Sequence, residues 1–101
     1  MMLLTKAIRA AFPKLRETEK QGKDAKIMAK FFVPWGRGTW YATEFDGEDT
    51  FFGYVDLGMD NELGYFSLAE LQGLRGPAGL TVERDRYFDH SLREVMEKKV
   101  R

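Results

Sequence analysis

At 101 residues with no cysteine, the chain suits one domain with one modest core, and it excludes disulfides, thiolate catalysis and cysteine-ligated zinc. A hydrophobic fraction of 44% with 14% aromatics is globular rather than disordered. No apolar run approaches the roughly 20 residues that cross a bilayer. The net charge of zero conceals segregation: residues 1–37 carry nine Lys/Arg against three Asp/Glu, residues 38–74 carry eight acids and no base, and residues 75–101 carry seven bases against five acids. Two readings stand. Basic elements packed beside an acidic sheet would neutralise it locally, or an acidic face binds a basic partner or imitates a phosphate backbone.

Met1-Met2-Leu3-Leu4 is too short for the core of a signal peptide and leads into a charged helix, so a cytoplasmic location is expected. Thr5 is placed to cap that helix, with Leu4, Ile8, Ala11, Phe12 and Leu15 at helical spacing, and Pro13 ends or kinks it. Glu17 to Lys26 read as a charged, exposed loop. Four strand-like segments follow. Ile27–Val33 puts Ile27, Ala29, Phe31 and Val33 on one face and Met28, Lys30 and Phe32 on the other. A turn through Pro34-Trp35-Gly36-Arg37-Gly38 leads to Thr39–Phe45, Asp46-Gly47 signals a hairpin into Thr50–Leu57, and Gly58–Asn61 turn into a short strand at Glu62–Phe66. Connections this short require antiparallel neighbours, hence a meander.

Ser67-Leu68-Ala69-Glu70 is a capping box that starts a short helix closing near Gly73, with Phe66 and Leu71 at staple positions. Gly76-Pro77-Ala78-Gly79 cannot continue that helix, and Thr81–Arg84 suits an extra edge strand. A second capping box, Ser91-Leu92-Arg93-Glu94, opens a final helix with Leu92, Val95, Met96 and Val100 on one side. The expectation is one α+β domain over residues 1–101. Eleven of the fourteen aromatics fall between Phe31 and Phe66, on both strand faces, so one face is covered by helices and the other is capped by the C-terminal segments or left partly open.

Glu44, Asp46, Glu48 and Asp49 bunch at one hairpin tip. Oxygen clusters of this kind hold Mg²⁺ or Ca²⁺ when they converge, but strand alternation divides these four, and the EF-hand spacing is absent. His90 is the only histidine and has no nucleophile at recognisable spacing, so no catalytic residue is assigned. The Gly73–Gly79 stretch lacks the Lys-Ser/Thr ending of a phosphate loop and reads as a connector. Trp35 and Arg37 are placed to stack on and clamp a base, but the neighbouring acidic strands would repel nucleic acid. Direct nucleic-acid binding therefore ranks below protein binding.

Leu3-Leu4-Thr5-Lys6, Lys30-Phe31-Phe32, the run Trp40-Tyr41-Ala42-Thr43-Glu44-Phe45-Asp46-Gly47-Glu48-Asp49-Thr50-Phe51-Phe52-Gly53, Glu62-Leu63-Gly64-Tyr65-Phe66-Ser67-Leu68, Arg75-Gly76-Pro77 and Glu83-Arg84-Asp85 recur in order in a family that this chain resembles, the small bacterial proteins grouped as domain of unknown function (DUF) 2958. The resemblance implies carriage on plasmids, phages and other mobile elements, and it transfers no catalytic residue and no cofactor. The expected function is therefore a non-enzymatic accessory or host-modulating factor. It would bind another, basic protein through Glu44, Asp46, Glu48, Asp49, Trp35 and Arg37. The competing class is a divalent-metal module or metal-dependent enzyme on Glu44, Asp46, Glu48 and Asp49, and a homodimer through the aromatic face is the third.

Overall fold

The computed structural model describes residues 3–97; Val100 lies outside them. The Thr5 hydroxyl accepts the Ile8 N–H at 3.2 Å, and α1 (Lys6–Ala11) stops at Phe12, whose extended backbone accommodates Pro13. Five strands then form one sheet: β1 (Ala29–Phe32), β2 (Thr39–Phe45), β3 (Thr50–Asp56), β4 (Asn61–Ser67) and β5 (Glu83–Asp85). Their order is β4-β3-β2-β1-β5, with antiparallel neighbours throughout. The architecture is α+β, a four-strand meander with a short fifth strand at the far edge, as the turn signals require.

Each face of the sheet buries its own cluster. On the first face, Phe51 is fully buried among Phe31, Phe45 and Phe66, with ring centroids 5.4, 4.4 and 5.2 Å away. Leu3, Leu4 and Phe12 pack over them, together with Leu68 and Leu71 of α2 (Leu68–Gly73). On the second face, Ala25, Ile27, Tyr41 and Tyr54 pack against Leu92 and Val95 of α3 (Leu92–Met96), with Phe88 alongside. Burial, helped by the Asp56 charge, pushes the Tyr54 phenol pKa up.

Two departures from strict alternation divide the side chains between these clusters. Met28 N–H donates to the Ala42 carbonyl at 2.8 Å while Ala29 is the ladder partner of Ala42, so two residues oppose one. Met28 and Ala29 both join the first cluster and Ile27 joins the second. This corrects the alternation expected from the sequence, which put Ile27 with Ala29 and Met28 opposite them. The second bulge lies in β2: Ala42 pairs with Gly53 and Glu44 with Phe52, leaving Thr43 as the extra residue. It shifts the parity of the strand, so that Trp40, Ala42 and Phe45 face the first core while Glu44 joins Phe52 on the second face. Without it, continued alternation from Ala42 would drive a carboxylate into the phenylalanine core. Gly53 sits opposite this bulge, where any Cβ would collide with the Tyr41 carbonyl oxygen.

The Ser67 hydroxyl caps α2 by accepting the Glu70 N–H at 3.2 Å. At α3 the capping box is complete: Ser91 accepts the Glu94 N–H, and the Glu94 carboxylate accepts the Ser91 N–H at 3.1 Å.

Candidate functional site

The four carboxylates of the Glu44–Asp49 tip do not converge. Glu44 is 3% exposed, and its Oε1 accepts the Arg16 N–H at 2.7 Å while its Oε2 accepts both the N–H and the hydroxyl of Thr18. It thereby fixes the 14–18 segment, in which Arg16 takes a left-handed φ of 72°. One Asp46 oxygen accepts the N–H groups of Glu48, Asp49 and Thr50, winding the hairpin tip, and the Glu48 and Asp49 N–H groups in particular hold the Asp46 carboxyl below the ordinary aspartate range. Asp49 crosses to α2, where it accepts the Ser67 hydroxyl at 2.7 Å and the Ala69 N–H at 2.8 Å. Three of the four are thus engaged with three different stretches of chain, and Glu48 stands exposed at the tip. Among the described residues, no three His, Cys, Asp or Glu side chains are grouped to hold a metal ion.

Trp35 and Arg37 also have separate neighbours. The Trp35 ring lies against Gly76, where a Cβ would enter the indole. The Arg37 stem runs beside the β3–β4 turn, so that a Cβ on Gly58 would stand 3.9 Å from its Cδ. His90 is held by Glu94, Nδ1 to Oε2 at 3.0 Å, and by the edge of Phe88, and its carbonyl accepts the Ile27 N–H. That is a structural position in front of the α3 cap.

What the structure does assemble is a cavity of about 480 Å³ on the second face of the sheet. Its floor is the row Glu44, Phe52 and Tyr65, which are successive ladder partners, with Leu63 and the buried Thr43 beside them. Its roof is the 16–25 segment and Leu92. Phe52 and Tyr65 meet edge-on at 5.2 Å, and Leu63 and Tyr65 remain 43% and 63% exposed, so the opening faces β4. Arg16 and Lys23 stand exposed at the rim.

β4 is itself an open edge. Its register with β3 and the bonds Leu57 N–H to Asp60 and Leu68 N–H to Asp49 alternate in step, which turns the N–H and C=O groups of Glu62, Gly64 and Phe66 towards β3. Those of Leu63 and Tyr65, with Asn61 and Ser67 at the ends, therefore point away from the sheet. The strand carries no Lys, Arg or Pro to block pairing, whereas the opposite edge, β5, is three residues long and fully charged.

The family described as protein of unknown function (DUF2958) matches residues 3–96. The chain belongs to that family. Searches of curated proteins and of solved structures find no match. For this DUF2958 member the charge pattern can now be placed. The six ion pairs among the described residues all lie outside 38–74, so none of the eight acids there is ion-paired within the described residues. Asp56, Asp60 and Glu62 stand at the start of β4, and Asp49 and Glu70 lie at its end, where α2 begins. The strand's exposed Leu63 and Tyr65 are bracketed by carboxylates at both ends. Among the described residues no helix is long and apolar enough to cross a membrane.

Proposed function

We propose that this protein is a protein-binding module that takes an extended, basic segment of another protein as an added strand beside β4. The observation that carries the reading is the unguarded β4 edge, with its outward backbone groups at Leu63 and Tyr65 and, at each end, acids with no ion-pair partner among the described residues. Backbone pairing would supply affinity, Leu63 and Tyr65 an apolar contact, and the flanking carboxylates the preference for Lys and Arg. A second copy suits the edge less well. Antiparallel self-pairing centred on Gly64 would bring the acids at the start of one β4 against those at the end of the other, and like charges oppose it. Of the acids expected to form the contact, Glu48 is available at the tip, whereas Glu44 is buried in a structural role. A role as accessory or host-modulating factor of a mobile element, which the family resemblance implies, would use such a contact on a basic host protein.

Calorimetric titration with a short synthetic peptide alternating Lys and Val tests this, beside its Glu-for-Lys counterpart. The Lys peptide should bind, more weakly as salt rises, and the Glu peptide should not. Tyr65→Pro removes one outward N–H at a position where a β3 bond is not lost, and it should abolish binding with the fold retained. Equal binding of both peptides, or full binding by Tyr65→Pro, refutes the reading.

A further inference from the structure

The cavity beneath the 16–25 segment has a chemistry of its own, separate from strand addition at the edge. At about 480 Å³ it lies within the ~300–1,000 Å³ range of small-molecule sites. Its polar groups are arranged asymmetrically. At the floor, Glu44 is nine-tenths or more buried and accepts three hydrogen bonds of the about four its oxygens can take, leaving one acceptor position at Oε1. Along the floor lie the rings of Phe52 and Tyr65, set edge-on to each other. At the rim are two cations: Lys23, which has no ion-pair partner among the described residues, and Arg16, whose Nε alone is taken by Glu19 at 3.2 Å.

A ligand that uses all three features has a planar ring for the aromatic pair, an N–H donor for Glu44 and an anionic tail for Lys23 and Arg16. A fatty acid would leave the carboxylate and the rings without matching groups, and a cationic ligand would enter past two positive charges. We infer that this cavity binds a mononucleotide, its base stacked on one of the Phe52 and Tyr65 rings and meeting the other at its edge, with an N–H towards Glu44 and its phosphate at Lys23 and Arg16. The phosphate contact is charge-assisted and the base contact is stacking, the two interactions that recur where proteins hold free nucleotides. Net lining charge does not argue against it, because the Glu44 charge is already met by two N–H groups and a hydroxyl, and that of Glu19 by Arg16.

The test is an NMR titration of the labelled protein with AMP, GMP, CMP and UMP in turn, with the four parent nucleosides and inorganic phosphate as controls. At least one monophosphate should shift the Thr43, Phe52 and Tyr65 resonances, and its parent nucleoside should bind about tenfold more weakly. Inorganic phosphate alone should leave the floor residues unmoved. Lys23→Glu changes an exposed side chain with no ion pair among the described residues to lose, and it should reduce monophosphate binding to the nucleoside level; Phe52→Leu should weaken both. Silence towards all four monophosphates at millimolar concentration overturns the inference, as does monophosphate binding that survives Lys23→Glu unchanged. Neither variant alters the β4 backbone, so peptide binding at the edge and nucleotide binding in the cavity can fail independently.

Discussion

Removing the Glu44 carboxylate should destabilise the protein more than any loss of surface charge could. In Glu44→Ala the N–H and hydroxyl of Thr18, which is 8% exposed, lose their acceptor, and so does the Arg16 N–H. A buried donor left unpaired costs about 1–3 kcal/mol. The Thr18 hydroxyl can rotate to another acceptor, and the Arg16 N–H lies beside solvent and recovers part of its loss. One full and one partial penalty, together with the apolar burial of the side-chain stem that alanine gives up, total about 3–4 kcal/mol. Against a typical domain stability of about 5–15 kcal/mol, that corresponds to a fall in Tm of about 15 °C for a chain of this size. Glu44→Gln can keep its carbonyl oxygen on the two Thr18 donors but then turns an amide N–H₂ towards the Arg16 N–H, so about half the effect is expected. Urea unfolding followed by tryptophan fluorescence measures both, and amide exchange at Arg16 and Thr18 should accelerate in the alanine variant. A Glu44→Ala protein within about 1 kcal/mol of wild type would refute the assigned role, because no single unpaired buried donor would then have been created.

Gly53→Ala should destabilise by about 2–3 kcal/mol, since the methyl meets the Tyr41 carbonyl at the bulge and backbone must move; thermal unfolding reads it, and a neutral result would contradict the close approach. Asp46 is held ionised below the ordinary aspartate value, so its contribution is present above about pH 4 and is lost as pH falls through the folded value; Asp46→Asn should lower stability at neutral pH and converge with wild type in acid, flattening the acid limb of the stability profile. Asp49→Ala should cost about 1–2 kcal/mol by removing the acceptor of the Ser67 hydroxyl and Ala69 N–H at the start of α2, visible as a shift of the urea midpoint with an unchanged slope.

The meander, the helix caps and the short last strand were legible because each rests on local chemistry: period-two apolar runs, Ser at an N-cap, and Gly or Pro at a turn. The faces were less legible where a bulge intervened. Glu44 and Phe45 exchange faces because Thr43 is an extra residue, and a pattern counted along one strand cannot register that. The clue was present in the neighbouring strand, since Gly53 in the apolar run Phe51–Val55 is the kind of residue that marks close backbone approach. The partners of Glu44 lie 26 and 28 residues away in a charged loop, and nothing local predicted that this loop would fold over the sheet and roof a cavity. The acidic bias of residues 38–74 was plain from composition, whereas its division into structural carboxylates and a pair of acidic brackets around β4 required the register.

The openness of β4 is the claim on which the function rests, and residue-resolved amide exchange with and without the Lys-Val peptide tests it most directly. In the free protein, Leu63 and Tyr65 should exchange fast while Glu62, Gly64 and Phe66 are protected by β3. The peptide should then slow Leu63 and Tyr65 and leave the other three as they were. Uniform protection along β4 in the free protein, or peptide binding that leaves Leu63 and Tyr65 fast, would contradict the account.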